Sequence, residues 1–320
     1  MKLLKIETIN LEMRQEHFNC ENMDKYLLLI FLMMWIGCQS PRKNTELALL
    51  DSLENLEIPQ PNISDEQINA IINQIPAPIE LSAMMKKSGA GYNKNYLNDP
   101  DKYSYYNTSF EQALNLGIYG ADLGYSNLYE ENQQSILYVG AIKELVDELR
   151  IGQFFNFETI ERLAEKRDLD SLILLTTQDF NEVNEYFQEQ QRSGLSVLMI
   201  TGGWIESLFI ANQVYENNLE NTELKETIGE QKIVLEKILE LLAHFRESNE
   251  DFDRLYSEME SLMNIYNEVV IETTRGDPSY EEVEGVLVAS DNSTTIIHIN
   301  DETIEKIQSV CTRIRDGFIS

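Results

Sequence analysis

Apolar positions recur every three or four residues over most of the chain beyond Thr108. Phe110, Ala113, Leu114, Gly117, Ala121, Gly124 and Leu128 share that spacing, which places side chains on one connected face of a helix. With Thr108 or Ser109 as N-cap, the pattern predicts a helix to about Glu130. Further helices are expected over 133–150 and 156–164, then from Asp168 or Asp170 to Arg192 with Gly194 as the stop. The next, 195–217, is apolar around nearly its whole circumference and is expected at the centre of the fold.

Two later stretches carry a seam. Leu224, Ile228, Gln231, Leu235, Ile238, Leu242 and Phe245 step by alternating fours and threes. Phe252, Leu255, Met259, Leu262, Tyr266 and Val269 repeat the step after a polar turn. This predicts an antiparallel helical hairpin packed like a coiled coil, with Gln231 its polar member. The seam would serve either as an oligomer surface or as the fold's own packing, and so many helices favour the second. Near the end, Val283–Ala289 and Thr294–Ile299 are β-branched and flank Ser290–Ser293, the pattern of a β-hairpin or an extended segment. Asn300 or Asp301 then caps a last helix to about Arg315. The fold class expected is all-α: a multi-helix bundle or helical-hairpin array with a short C-terminal β-hairpin or extended segment.

Ahead of this helical domain, 107–320, residues 45–106 are interrupted by Pro and Gly. Leu47, Leu50, Leu53 and Leu56 suggest a short amphipathic helix, and Ser64 with Gln67 forms a helix-start signature. Residues 86–106 are rich in Gly, Asn, Asp and Tyr and read as loop. Ser88-Gly89-Ala90-Gly91 lacks the spacing and the Lys-Ser or Lys-Thr of a phosphate-binding loop. Residues 38–44 are a polar linker. The apolar run from Leu27 to Gly37 is about half the roughly 20 residues that cross a bilayer, but it fits the apolar stretch of a signal peptide. A start at Met23 puts Lys25 just before the run. Residues 1–37 are therefore read as an N-terminal extension followed by a signal peptide.

Charge narrows the partners. The net charge is −30, and the residues after 37 hold 21 basic and 50 acidic side chains, a net −29. Such a surface repels nucleic acid and anionic headgroups, so no nucleic-acid partner is expected. His17, His244 and His298 lie far from one another and from any cysteine, which predicts no zinc site and no metal or cofactor. Cys20 lies in the leader, and after processing Cys311 has no intramolecular partner, so no disulfide framework is expected.

Leu116–Tyr125, LGIYGADLGY, and Thr201–Ile210, TGGWIESLFI, carry the candidate chemistry. Glycines at 117, 120 and 124 are expected to admit another helix backbone at close range, each at around 1 kcal/mol of helix propensity against alanine. Asp122 and Glu206 are then candidate buried carboxylates, with ionisation disfavoured unless they are partnered. Tyr119, Tyr125, Tyr138, Trp204 and Asn212 are candidates to donate to them or to line a cavity. The set reads as a ligand site or as a core polar network, and buried polar groups more often pair with each other. Hydrolysis by paired carboxylates is the weakest reading, because 55 acidic residues supply pairs by chance. No catalytic residue is assigned. Likeness between the two stretches suggests a duplicated unit, 109–192 and 193–274, although convergence on tight helix contacts would look the same.

Trp35-Ile36-Gly37-Cys38 resembles the lipobox of bacterial lipoproteins. Gly37 and Cys38 match and Ile36 is acceptable, whereas Trp35 departs from the usual Leu. The resemblance implies cleavage before Cys38, a diacylated Cys38 and an acylated new amino end, enough chains for lasting attachment. Together with NTSFEQALNLGIYGADLGY and VLMITGGWIESLFIANQVY, the leader is similar to that of uncharacterised helical lipoproteins of Bacteroidota. That likeness implies an all-α envelope protein and brings no activity with it. Gln39-Ser40-Pro41-Arg42-Lys43 lacks the acidic cluster associated with surface export in such bacteria, which implies the periplasmic face of the outer membrane. The expectation is a lipid-anchored periplasmic protein with a non-catalytic binding or scaffolding role. Its partners would be the membrane, through the anchor, and an envelope protein or a small molecule. The alternatives are a small-molecule binder or sensor with an interhelical pocket, and a carboxylate-dependent hydrolase. Oligomeric state is left open.

Overall fold

A computed structural model of the chain describes residues 63–75, 81, 85–87, 89–166, 168–247, 249–276, 279–283, 286–290 and 294–319. The expected leader, Cys38, the polar linker and the helix from Leu47 to Leu56 lie outside these residues. The described residues all fall in one unit, Leu53–Ser320. Helices run over α1 Asp65–Ile72, α2 Ser109–Leu128, α3 Asn132–Glu148, α4 Phe157–Lys166, α5 Leu169–Glu189, α6 Ser193–Glu216, α7 Thr222–Ala243, α8 Glu250–Tyr266 and α9 Asp301–Ile319. The protein is an all-α helical bundle with short strands near its C-terminal end.

The helix starts follow their capping chemistry. The Ser64 hydroxyl accepts from the Gln67 N–H, and the Gln67 side chain accepts from the Ser64 N–H. Thr108 and Glu111 repeat this reciprocal pair at the head of α2, satisfying N–H groups the helix cannot.

Helix ends depart from expectation. Glu130 (φ 64°), Arg150 (φ 60°) and Gln191 (φ 58°) follow α2, α3 and α5 in the left-handed conformation. After each, the next N–H reaches back into the last turn: Glu131 to Ser126 O (2.9 Å), Ile151 to Val146 O (2.8 Å), Arg192 to Phe187 O (2.6 Å). This is the Schellman closure, usually made with glycine. Gly194 therefore does not end α5; it lies buried in the first turn of α6. Since an L-residue in this conformation costs about 1–2 kcal/mol, Gln191→Gly is expected to stabilise the fold by about 0.5–1 kcal/mol, read as a higher denaturation midpoint.

Helix α6 is the central element, as its composition requires. It is long and apolar enough to cross a membrane, but it is enclosed by protein, with α2, α5, α7 and α9 packed around it. Its chief partner is α2, so the two glycine-bearing stretches face each other. A methyl group on Gly117 would collide with the Met199 carbonyl oxygen and lie 2.7 Å from Gly203 N; one on Gly202 would collide with Leu114 O. Gly120, expected at the same contact, is instead on the outer side of α2, where an added Cβ meets nothing within 4 Å.

The α7–α8 hairpin forms as its spacing predicts, and every seam residue from Leu224 to Val269 is buried within the chain. Gln231 is accommodated by two hydrogen bonds: Oε1 accepts from Trp204 Nε1 (2.9 Å) and Nε2 donates to Thr227 O (3.2 Å).

The strands pair differently from expectation. β1 Val270–Thr274 pairs antiparallel with β4 Thr294–His298, from Val270↔His298 to Thr274↔Thr294. β2 Ser279–Val283 pairs with β3 Val286–Ser290, from Ser279↔Ser290 to Val283↔Val286. The two predicted strands thus do not pair with each other; each pairs with an earlier, more acidic segment. The register leaves two residues between Val283 and Val286, a connection length hairpins favour. Ile297 of β4 lies over Gly229 of α7, where a Cβ would approach it to 2.7 Å.

Candidate functional site

The close approach of α2 and α6 brings Asp122 and Glu206 together in the interior, both fully buried. A buried carboxylate needs a partner, and α9 supplies one to Glu206. Arg315 Nε donates to Glu206 Oε2 (2.5 Å) and Nη2 to Oε1 (2.7 Å), the two-pronged geometry that a planar guanidinium favours. The Arg315 Cζ stands 4.1 Å over the Phe209 ring, and Nη2 also reaches Tyr96 O at 3.3 Å. Burial works against the charged guanidinium, but Glu206 outweighs it and holds Arg315 firmly protonated.

Asp122 has no such partner. Its Oδ2 accepts from the Asn98 N–H at 3.2 Å, while Oδ1 is buried without a hydrogen-bond donor. Burial, and then the charge of Glu206, push its carboxyl well above the usual carboxylate range, against the opposing pull of Arg315. Two carboxyl groups and one guanidinium become neutral when Asp122 holds a proton, which it can donate to Glu206. Of the two carboxyls, Asp122 is the one whose surroundings favour the protonated form, while Arg315 is held as a cation.

A strap, residues 92–106, closes over these groups. It contains the short 3₁₀ turns Lys94–Tyr96 and Pro100–Tyr105. The phenol of Tyr138 on α3 donates to Asn98 O (2.7 Å), and that of Tyr119 on α2 donates to Asp99 O (2.9 Å). Asn98 Nδ2 donates to Tyr106 Oη (3.2 Å), and the Asn93 N–H to Tyr125 Oη (3.3 Å). Burial raises the pKa of Tyr119, Tyr125 and Tyr138, so all three stay neutral.

Of the residues singled out from sequence, Asp122, Glu206, Tyr119 and Tyr138 meet at this centre, and Tyr125 holds the start of the strap. Trp204 points away to Gln231. Asn212 Nδ2 donates to Leu208 O within α6 at 2.8 Å. Sequence reading missed Arg315, Asn98, Tyr96 and Tyr106. Arg315 did leave a signal: it continues the buried stripe of Ile304, Ile307 and Cys311 on α9, where an arginine needs a buried partner. The strap left none, because it acts largely through backbone groups.

Cys311 is a buried free cysteine whose Sγ lies 3.7 Å from Ile205 O. Burial, and then Glu206, push its thiol up, away from the reactive thiolate. Among the described residues, no three His, Cys, Asp or Glu side chains are grouped to hold a metal ion. No family model matches the chain, and no curated protein or solved structure matches it either.

Proposed function

We propose that this chain is a lipid-anchored helical protein at the periplasmic face of the outer membrane, with a non-catalytic binding or scaffolding role. The observation that carries the non-catalytic reading is the ion pair on Glu206. Both carboxylate oxygens are taken by Arg315 in the interior, whereas a glycosidase-like pair flanks a bond open to substrate and water. The anchor rests on the signal-like run and on Gly37-Cys38. Acidic surplus suits a body that stays soluble beside the membrane.

The anchor is tested with the full chain in a Gram-negative host fed labelled fatty acid. Wild type is expected in the outer-membrane fraction carrying the label, and Cys38→Ser in neither. Equal partitioning of the two, or an unlabelled wild type, would sink the anchor. Native mass spectrometry of the detergent-extracted chain tests the role. A protein partner retained after mild extraction supports scaffolding, and a reproducible small bound mass replaces it with the small-molecule reading.

A further inference from the structure

We infer that Asp122, Glu206 and Arg315 form a proton-operated latch that holds the 92–106 strap closed while Asp122 is protonated and releases it when that proton is lost. The inference does not depend on the anchor or on the envelope location.

Its basis is where the strap is fastened. Asn98 sits over the triad, its N–H on Asp122 Oδ2 and its carbonyl under the Tyr138 phenol. Two residues earlier, the Tyr96 carbonyl is bound by Arg315, the same side chain that neutralises Glu206. The closed strap therefore draws on both sides of one charge balance. The groups facing Asp122 are Glu206 from α6, Arg315 from α9, Tyr138 from α3, Tyr92 and Tyr106 from the strap, and Tyr119 from its own helix. Arg315 is the one cation among them, and Glu206 already occupies it. Loss of the Asp122 proton strengthens the bond from the Asn98 N–H, but it leaves a net negative charge buried against a second carboxylate, and burial with Glu206 outweighs that one bond. Hydrating that charge requires the cover to lift.

The direction follows from linkage. The Asp122 carboxyl is raised above the ordinary 3.8, so the closed form holds a proton that an opened or unfolded chain has released. Closure is therefore favoured at low pH and weakens as pH rises from that ordinary value through the raised one. Asp179, which burial raises to about 6, has the same sign and is still half-protonated near that value. Asp122→Asn, which keeps Asp179, separates the two.

Hydrogen exchange of peptides covering 92–106, in the full chain, tests the latch as pH is raised from about 4 to about 9. After correction for intrinsic exchange, wild-type protection is expected to fall by about tenfold or more, since each pH unit in the window changes the balance by up to tenfold. Asp122→Asn, which keeps a hydrogen-bond donor without a titrating group, is expected to hold its protection constant. Parallel loss in both proteins, or constant protection in wild type, overturns the latch. If the variant does not fold, infrared spectroscopy decides: a carbonyl band from a protonated carboxylic acid that survives Asp179→Asn must persist above the ordinary carboxylate range and vanish as the strap opens. Its absence there overturns the proposal. So does protection set by Na⁺ or K⁺ concentration instead of pH, which would make a cation the neutralising group.

Discussion

Arg315→Met is expected to destabilise the fold by about 3–5 kcal/mol, because it leaves Glu206 buried and unpaired. Methionine fills much of the volume and can still pack on Phe209, so a lost contact is the smaller part of the effect. The larger part is the stranded carboxylate, whose oxygens now meet Arg315 at 2.5 and 2.7 Å. Glu206→Gln combined with Arg315→Met removes the stranded charge and is expected to recover a substantial share of the loss. Denaturant unfolding of the single and double variants gives the comparison. A single variant within about 1 kcal/mol of wild type would mean that water reaches this centre.

Gly202→Ala sets two effects of opposite sign against each other. Helix propensity alone favours alanine by about 1 kcal/mol. The added methyl, however, would collide with the Leu114 carbonyl oxygen, and a backbone atom cannot swing aside as a side chain can. Helices α2 and α6 must separate, loosening the pair that positions Asp122 and Glu206. The expected result is a net loss of about 1–3 kcal/mol, read from thermal or chemical unfolding. Gly120→Ala is the matched control on the open side of α2, where propensity acts alone and a gain of up to about 1 kcal/mol is expected. Equal behaviour of the two variants would contradict the close packing of these helices.

Much of the bundle was legible because burial imposes a period. The α7–α8 seam is the clearest case: every residue chosen by its spacing is buried. Gly117 and the centrality of α6 were legible for the same reason, since small or apolar residues on every side imply neighbours on every side. What escaped depends on groups that sequence does not display. Gln191 ends α5 by adopting a backbone conformation its side chain gives no hint of. Acidic residues in β1 and β2 concealed their strand character, so β3 and β4 were matched to each other. At the site, Asp122 and Glu206 stood out as carboxylates in apolar helices. Arg315 was passed over because the expected final helix stopped at about that residue, whereas α9 runs on to Ile319. The strap looked like a polar loop because its role is carried by the Asn98 N–H and by the Tyr96, Asn98 and Asp99 carbonyls.

The span of those strap contacts has a kinetic meaning. Asn98 and Asp122 are 24 positions apart, Glu206 and Arg315 are 109, and Tyr96 and Arg315 are 219. Joining distant segments carries a loop-closure cost that local helical hairpins avoid. The α7–α8 pair is therefore expected to assemble early, and the arginine to dock after the rate-limiting barrier. Interactions that form so late scarcely affect how fast a chain folds; they govern how long it stays folded. Weakening this pair should leave the refolding rate nearly unchanged and shorten the lifetime of the native state.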